Sequence, residues 1–202
     1  MLYFNRKEVN MNISENMMFF TTSYSGILED IDNLKLAEEV RSVRKLEEGR
    51  TLSNVGGWQS NDLSEKTVEN LPETQKLLDH MLNVGAEVYK QWNLDNEEIL
   101  LDNFWFNING KKDFNNRHSH PGSILSACYY VDTNKESGDI IFYRPDLQTH
   151  YFNPSNPNKY TNKKYEFSPV PGMFVIFPAY LEHLVLPNLS DEERISIAFN
   201  FI

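Results

Sequence analysis

Cysteine is almost absent from this chain of 202 residues, because Cys128 is its single cysteine. A disulfide framework within the chain is therefore excluded, and the sequence predicts a reducing compartment. The first twenty residues contain no uninterrupted apolar run of the kind that a signal peptide or a membrane span needs. We accordingly expect a cytoplasmic protein with no membrane partner.

Basic residues are also in the minority. The 19 Lys and Arg residues are outnumbered by 29 Asp and Glu residues, so the formal net charge is −10. This balance argues against nucleic acid as the main partner, because a phosphate backbone attracts basic surfaces. Aromatic residues, by contrast, make up 13% of the chain, which favours a globular, β-rich protein. The length fits one domain, residues 1–202, with a core of its own.

The N-terminal part, residues 1–96, combines one strand pattern at Met17–Thr22 with two helical patterns. The first helix has Asp32 or Asn33 as its cap, and its apolar residues recur every three to four positions at Leu36, Val40 and Val43. The second helix has Pro72 near its first turn, and its apolar stripe comprises Leu78, Met81, Leu82, Gly85, Val88, Tyr89 and Trp92. Between them, "TLSNVGGWQSNDL" is typical of a loop.

The C-terminal part, residues 97–202, consists of short apolar or alternating runs separated by turn residues. The expected strands are Ile99–Asn107, Ser123–Asp132, Asp139–Tyr143, Tyr165–Ser168, Gly172–Phe177, His183–Pro187 and Arg194–Phe201. Such a series predicts a jelly roll, with the preceding helices buttressing one sheet, in an α+β chain that is mainly β. The polar insertion 144–164 is too long for a hairpin loop, and we expect it to cover an active-site mouth.

Three histidines stand where these strand patterns begin or end. His118 and His120 flank one serine in "NNRHSHPGS", and alternation along an extended segment turns both imidazoles to the same side. His183 follows downstream in "FPAYLEHLVLP", and beyond it Arg194 and Ser196 share one face of the strand pattern "RISIAFNFI". The H-x-H geometry suits chelation of one metal ion.

The order H-x-H, distal histidine and R-x-S resembles the iron(II)- and 2-oxoglutarate-dependent oxygenases. The runs "SACYYVDTNKESGDIIFYRP", "PGMFVIFPAYLEH" and "ERISIAFNFI" are similar to the core strands of that family. With "GGWQS" and "FWFNINGKKDFNNRHSHPGS", the likeness to a prolyl-hydroxylase-like subgroup of bacteria and phages covers roughly residues 55–202. It implies a double-stranded β-helix and a dioxygenase that uses iron(II), 2-oxoglutarate and O₂, hydroxylating its substrate with succinate and CO₂ as co-products.

The resemblance also implies a role for each residue that matches the motif of the family. His118, His120 and His183 match the metal ligands, which are the catalytic residues of such a site. Arg194 and Ser196 match the pair that neutralises the far carboxylate of 2-oxoglutarate, a task for which a bidentate arginine is well suited. Tyr130 resembles the tyrosine that assists this arginine, with Tyr129 as the alternative if the strand register is shifted by one. Asn107 is expected at the metal-proximal end of the co-substrate.

The second histidine of H-x-H admits three explanations, because the family usually carries H-x-D. In the first, all three histidines bind iron as a neutral triad. In the second, His120 occupies the carboxylate position without binding the metal. In the third, the chain is a cupin-like metal enzyme that needs no 2-oxoglutarate. We favour the neutral triad, in which iron(II), dianionic 2-oxoglutarate and neutral imidazoles sum to zero charge. Without a fixed anion, the metal should bind less tightly in the absence of co-substrate.

Two other functions remain open: a cupin-like enzyme, and a non-catalytic jelly-roll binding or structural module. Neither of them would need Arg194 and Ser196. The tyrosine-rich composition of the insertion 144–164 suits either a polar small molecule or a peptide as substrate. The sequence indicates no particular oligomeric state.

Overall fold

The computed structural model describes residue 14 and residues 20–94, 98–146 and 154–202. Its helices are α1 (Asn33–Arg44), α2 (Glu65–Val68) and α3 (Pro72–Gln91). Its strands are β1 (Tyr24–Ile27), β2 (Asn54–Val55), β3 (Trp58–Gln59), β4 (Leu101–Asn109), β5 (Phe114–His118), β6 (Leu125–Asp132), β7 (Ile140–Tyr143), β8 (Lys164–Phe167), β9 (Met173–Pro178), β10 (His183–Val185) and β11 (Arg194–Phe201). Among these described residues, no helix is both long and apolar enough to cross a membrane.

The strands form two antiparallel sheets. The larger sheet has the order β1-β9-β6-β11-β4-β3, and the smaller one has the order β2-β5-β10-β7-β8. Sequential strands alternate between the sheets from β4 to β7, so the chain crosses repeatedly from one sheet to the other. This arrangement confirms the expectation of a mainly β chain built as a jelly roll, with few helices.

The central strands of the larger sheet, β4, β6 and β11, are largely buried on both faces. In β4, Phe104, Phe106 and Ile108 belong to the core that the sheet shares with the helices. The alternate residues Trp105 and Asn107 turn to the opposite face and line a cavity between the sheets. One face of this sheet therefore stabilises the fold, and the other presents polar groups to a site.

Both predicted long helices are present and pack on the larger sheet. Helix α1 begins after Asp32, whose side chain accepts a hydrogen bond from the backbone N–H of Lys35 at 3.2 Å. Leu36, Val40 and Val43 are buried as expected. These contacts confirm that the helices buttress one sheet.

Helix α3 begins at Pro72, as predicted, but the residue before it offers no side-chain cap. Glu39 of α1 fills that role from the neighbouring helix. Its carboxylate accepts hydrogen bonds from the backbone N–H groups of Glu73 and Thr74 at 2.9 and 2.8 Å. An anion at a helix N-terminus satisfies unpaired donors and complements the helix dipole, so Glu39 fixes the two helices together.

Some elements differ from the sequence-based expectations. Half of the expected strand Met17–Thr22 lies outside the described residues; residues 20–22 are described and form no strand, and the first described strand begins instead at Tyr24. The expected loop 51–63 contains β2 and β3, two-residue strands around Gly56 and Gly57, which both have positive φ. The apolar stripe of α3 also passes through Leu77, which is fully buried, whereas Leu78 and Leu82 are half-buried.

The insertion 144–164 is described only in part, because residues 147–153 lie outside the described ranges. Its last residue, Lys164, begins the edge strand β8. None of its described residues lines the cavities beside the histidines.

Candidate metal centre

The three histidines singled out in the sequence come together between the two sheets. His118 ends β5 and pairs in register with His183, the first residue of β10. His120 follows β5 in the chain, and its Nε2 lies 3.4 Å from the Nε2 of His183. One ligand atom from each histidine lies within 4.8 Å of the others, an arrangement that can hold a metal ion.

Backbone contacts bring His120 to this place although it lies outside a strand. Its N–H donates a hydrogen bond to the carbonyl of Ala179 at 2.9 Å, just after β9 ends. A Pro-Gly turn follows, in which Gly122 has a φ of +98°. That backbone conformation favours glycine, so the sequence "HPG" allows the chain to turn sharply directly after His120.

Two of the imidazole rings are oriented by backbone carbonyls. The Nδ1 of His118 lies 2.7 Å from the carbonyl of Asn116, and the Nδ1 of His183 lies 2.9 Å from the carbonyl of Leu181. A carbonyl only accepts hydrogen bonds, so each Nδ1 carries the proton and each Nε2 keeps its lone pair for a metal.

The environment also keeps these rings neutral. Burial, with a smaller contribution from His118, lowers the pKa of His120 to about 4 and that of His183 to about 3. Burial lowers the pKa of His118 as well. Because metal ligands must be unprotonated, the cluster is ready to bind a cation near neutral pH. Imidazole nitrogen suits iron among other transition metals, so the donor set fits iron(II).

A small inner cavity of about 60 Å³ lies beside the three histidines. Arg194, Ser196, Tyr130 and Asn107 all line it. They lie close together because Ser196 of β11 pairs with Asn107 of β4 on one side and with Tyr130 of β6 on the other. The structure therefore brings every sequence-predicted site residue around one cavity.

The two neighbouring tyrosines of β6 point in opposite directions. Tyr130 lines the inner cavity, whereas the hydroxyl of Tyr129 donates a hydrogen bond to Asn33 Oδ1 of α1 at 2.8 Å. The strand register is therefore the one that places Tyr130, rather than the alternative Tyr129, at the cavity.

Arg194 is a buried cation, 2% exposed, that has no carboxylate partner among the described residues. Its Nη1 donates to the carbonyl of Ser137 at 3.2 Å, and its Nη2 donates to Asn109 Oδ1 at 3.1 Å. Its Nε and the hydroxyl of Tyr130 are buried without a hydrogen-bond partner. Burial lowers the pKa of Arg194 and raises that of Tyr130. An unpaired buried cation is costly, so this end of the cavity fits an anionic ligand such as a carboxylate.

Sequence reasoning missed Asn109, which orients the arginine. The signal was available in "NFWFNIN", where Asn103, Trp105, Asn107 and Asn109 alternate with large apolar residues. Because Asn109 pairs with Arg194 in the sheet, it lies on the same face and reaches the guanidinium.

Comparison with known proteins agrees with this geometry. Residues 103–200 match the family model described as "Putative 2OG-Fe(II) oxygenase". Residues 103–200 therefore belong to the 2OG-Fe(II) oxygenase family. This oxygenase is an oxidoreductase that uses iron(II), 2-oxoglutarate and O₂, which confirms the predicted family, enzyme class and cofactors. No curated protein matches the sequence significantly.

Solved structures similar to this oxygenase share its fold at low sequence identity. A prolyl-4-hydroxylase from Pseudomonas putida has a TM-score of 0.63 at 17% identity, covering 90% of this chain and 91% of that one. A Trichoplax adhaerens prolyl hydroxylase, in complex with a hypoxia inducible factor peptide fragment, has a TM-score of 0.60 at 15% identity, covering 88% and 83%. A viral collagen prolyl hydroxylase from Paramecium Bursaria Chlorella virus-1 has a TM-score of 0.54 at 12% identity, covering 91% and 96%. The predicted double-stranded β-helix is thereby confirmed.

Proposed function

We propose that this oxygenase hydroxylates a C–H bond of a small-molecule or peptide substrate, with succinate and CO₂ as co-products. The observation that carries the proposal is the pairing of two features around one inner cavity. Three imidazoles converge beside it, and Arg194, a buried cation without a carboxylate partner among the described residues, lines the same cavity. The imidazoles would hold a metal ion, and Arg194 would bind the distal carboxylate of a 2-oxo acid.

His118, His120 and His183 are the proposed iron ligands. Carbonyl contacts orient His118 and His183, so their Nε2 atoms serve as ligand atoms. His120 stands where the family usually has a carboxylate, and its Nε2 already lies beside that of His183. Iron, when bound, supplies the oxidation chemistry, and the protein supplies placement and exclusion of water.

Arg194, Ser196 and Tyr130 are the proposed partners of the distal carboxylate of 2-oxoglutarate, and Asn107 is the proposed contact at its metal-proximal end. The unpartnered Nε of Arg194 and hydroxyl of Tyr130 are donors that a carboxylate would satisfy. Apolar side chains of Ile140, Phe177 and Val185 complete the cavity wall. Because Arg194 is buried, the interaction between its guanidinium and a carboxylate is stronger than it would be in water.

Arg194 also argues against the two alternative functions, a cupin-like enzyme and a structural jelly roll. A cupin-like enzyme or a structural jelly roll would gain nothing from a buried guanidinium aimed at the metal cavity. We further propose that residues 1–202 act as a single domain in the cytoplasm, with 1–96 packing on the jelly roll 97–202.

Anaerobic titration of the iron(II)-loaded protein with 2-oxoglutarate tests the proposal. We expect a visible charge-transfer band on addition of 2-oxoglutarate and, after exposure to air, formation of succinate. His183→Ala should abolish both signals. His80→Ala is the matched control, because His80 contacts Asp30 on the surface at 2.9 Å and should leave both unchanged. Absence of the band and of succinate in the correctly folded wild-type protein would contradict the proposed function.

A further inference from the structure

A second, wider cavity, which we call the outer cavity, adjoins His118 and His120 and has a volume of about 570 Å³. His118, His120 and Trp105 line both the outer and the inner cavity. The ring centroids of Trp105 and His120 are 5.9 Å apart. A molecule in the outer cavity would therefore lie directly against the metal centre, in the position that a substrate needs.

The cationic side chains that line the outer cavity are already paired. Arg50 donates two hydrogen bonds to the carboxylate of Asp62, although its Nε has no partner among the described residues, and Arg117 forms an ion pair with Glu182. The Asp102 carboxylate accepts a hydrogen bond from Asn103 and is exposed, so water solvates it and it offers a cation little net attraction. An anionic substrate would meet only cations whose charge a carboxylate already compensates, so little of its desolvation cost would be offset.

Among the buried neutral polar side chains described in the outer cavity, one lacks a hydrogen-bond partner. Gln59 is 2% exposed, and its carboxamide forms no hydrogen bond with any described residue. Gln59 pairs with Asn107 in the sheet, and directly paired residues of antiparallel strands project to the same face. The carboxamide therefore belongs to the polar row that continues through Asn107 and Ser196 towards the inner cavity. Its polar atoms are not sealed away from the cavity, so they remain available for a hydrogen bond to a ligand there.

On the basis of the proposed function, we propose that the outer cavity selects uncharged, hydrogen-bonding substrates and that Gln59 is a specificity-determining residue that bonds the neutral polar group of such a substrate. A carboxamide both donates and accepts hydrogen bonds, so it is complementary to another amide or to a hydroxyl group. Trp105 offers an aromatic surface beside it, with the Arg50 guanidinium 5.8 Å from the ring centroid.

Three probes of the same shape test this selection: benzamide is neutral, benzoate is anionic and benzamidine is cationic. Each is titrated at pH 8 into protein loaded with redox-inert zinc and saturating 2-oxoglutarate, so that the anion site at Arg194 is filled. Binding is followed by ligand-observed NMR. We expect benzamide to bind at least tenfold more tightly than either charged probe.

Variants of Gln59 then test the assigned residue. Gln59→Leu should weaken benzamide binding at least fivefold, and Gln59→Glu should shift the preference to benzamidine. Gln75→Leu is the matched control, because Gln75 is exposed on α3 and should leave the order of the probes unchanged. Circular dichroism establishes that each variant folds, and the wild-type order of the three probes remains a test even if a variant does not.

The contradicting results are specific to this inference. It is wrong if none of the probes binds, if a charged probe binds wild-type protein as well as benzamide does, or if Gln59→Leu weakens 2-oxoglutarate while leaving benzamide unaffected. Failure of wild-type protein to bind 2-oxoglutarate would instead contradict the proposed function, whatever the order of the probes. The affinity for 2-oxoglutarate, measured separately, thus distinguishes the two failures.

Discussion

Replacement of Arg194 by methionine should separate binding of 2-oxoglutarate from stability of the fold. The guanidinium is buried and contacts only neutral acceptors, Ser137 O and Asn109 Oδ1, in the described structure. Replacing a buried ionic group by an apolar one of similar volume is often close to neutral for stability. Arg194→Met should therefore fold, while losing the cation that we assign to the distal carboxylate.

The expected magnitude follows from the burial of that cation. Loss of one partner from a buried, hydrogen-bonded charge pair costs about 2–5 kcal/mol, so 2-oxoglutarate should bind at least about 30-fold more weakly. At a ligand concentration of about 100 times the wild-type Kd, binding stabilises the wild-type protein by about 2.7 kcal/mol. The same concentration should stabilise Arg194→Met by no more than about 0.9 kcal/mol.

Thermal unfolding of the zinc-loaded protein, with and without 2-oxoglutarate, measures this difference. For a chain of this size, about 2–4 °C of Tm corresponds to 1 kcal/mol, so the wild-type shift of about 5–11 °C should fall to about 2–4 °C or less. Arg44→Met is the control, because Arg44 forms a partly exposed ion pair with Glu193 and should keep the full shift. An undiminished shift in Arg194→Met would refute the role of this arginine.

Three further predictions concern other parts of the structure, and each is tested by substitution. Tyr130→Phe should weaken 2-oxoglutarate binding several-fold in a calorimetric titration, because Tyr130 lines the inner cavity. Tyr129→Phe should reduce stability without changing that affinity, because the Tyr129 hydroxyl bonds Asn33 of α1. The opposite pattern would reverse the two assignments. The His120→Asp variant should bind iron(II) roughly tenfold more tightly in the absence of 2-oxoglutarate, because aspartate adds an anion at the metal. Unchanged affinity in a chelator competition would argue against ligation by His120. Glu39→Gln should lower the free energy of unfolding by about 1–2 kcal/mol in urea denaturation, since the Glu39 carboxylate caps α3. Glu38→Gln, at an exposed position of α1, should leave the free energy of unfolding unchanged. Equal effects of the two substitutions would contradict the capping role.

Strands and helices with strong apolar periodicity were predictable from the sequence. Strand β11 spans Arg194–Phe201 as predicted, because alternation of polar and apolar residues in "RISIAFNF" leaves one reading. Strands β2 and β3 were not predictable, since each has two residues and is held by pairing with β5 and β4 rather than by its own pattern. Strand β5, "FNNRH", is polar and mostly exposed or half-buried, so it carries no apolar signal either.

The candidate site was predictable where its residues carry distinctive chemistry. Histidine and arginine at characteristic spacings stand out in a sequence, and the pairing of β11 with β4 and β6 then places Arg194 and Ser196 beside Asn107 and Tyr130. Gln59 was not predicted as a site residue. Its significance depends on being buried beside a cavity without a partner, which is a property of the assembled sheets.

We propose that three imidazoles would hold iron and that Arg194 would bind the distal carboxylate of 2-oxoglutarate. The most direct test of this proposal is a crystal structure determined anaerobically with iron(II) and 2-oxoglutarate. We expect His118, His120 and His183 as the three protein ligands, with the distal carboxylate hydrogen-bonded to Arg194. Coordination that omits His120, or a 2-oxoglutarate carboxylate bound away from Arg194, would contradict it.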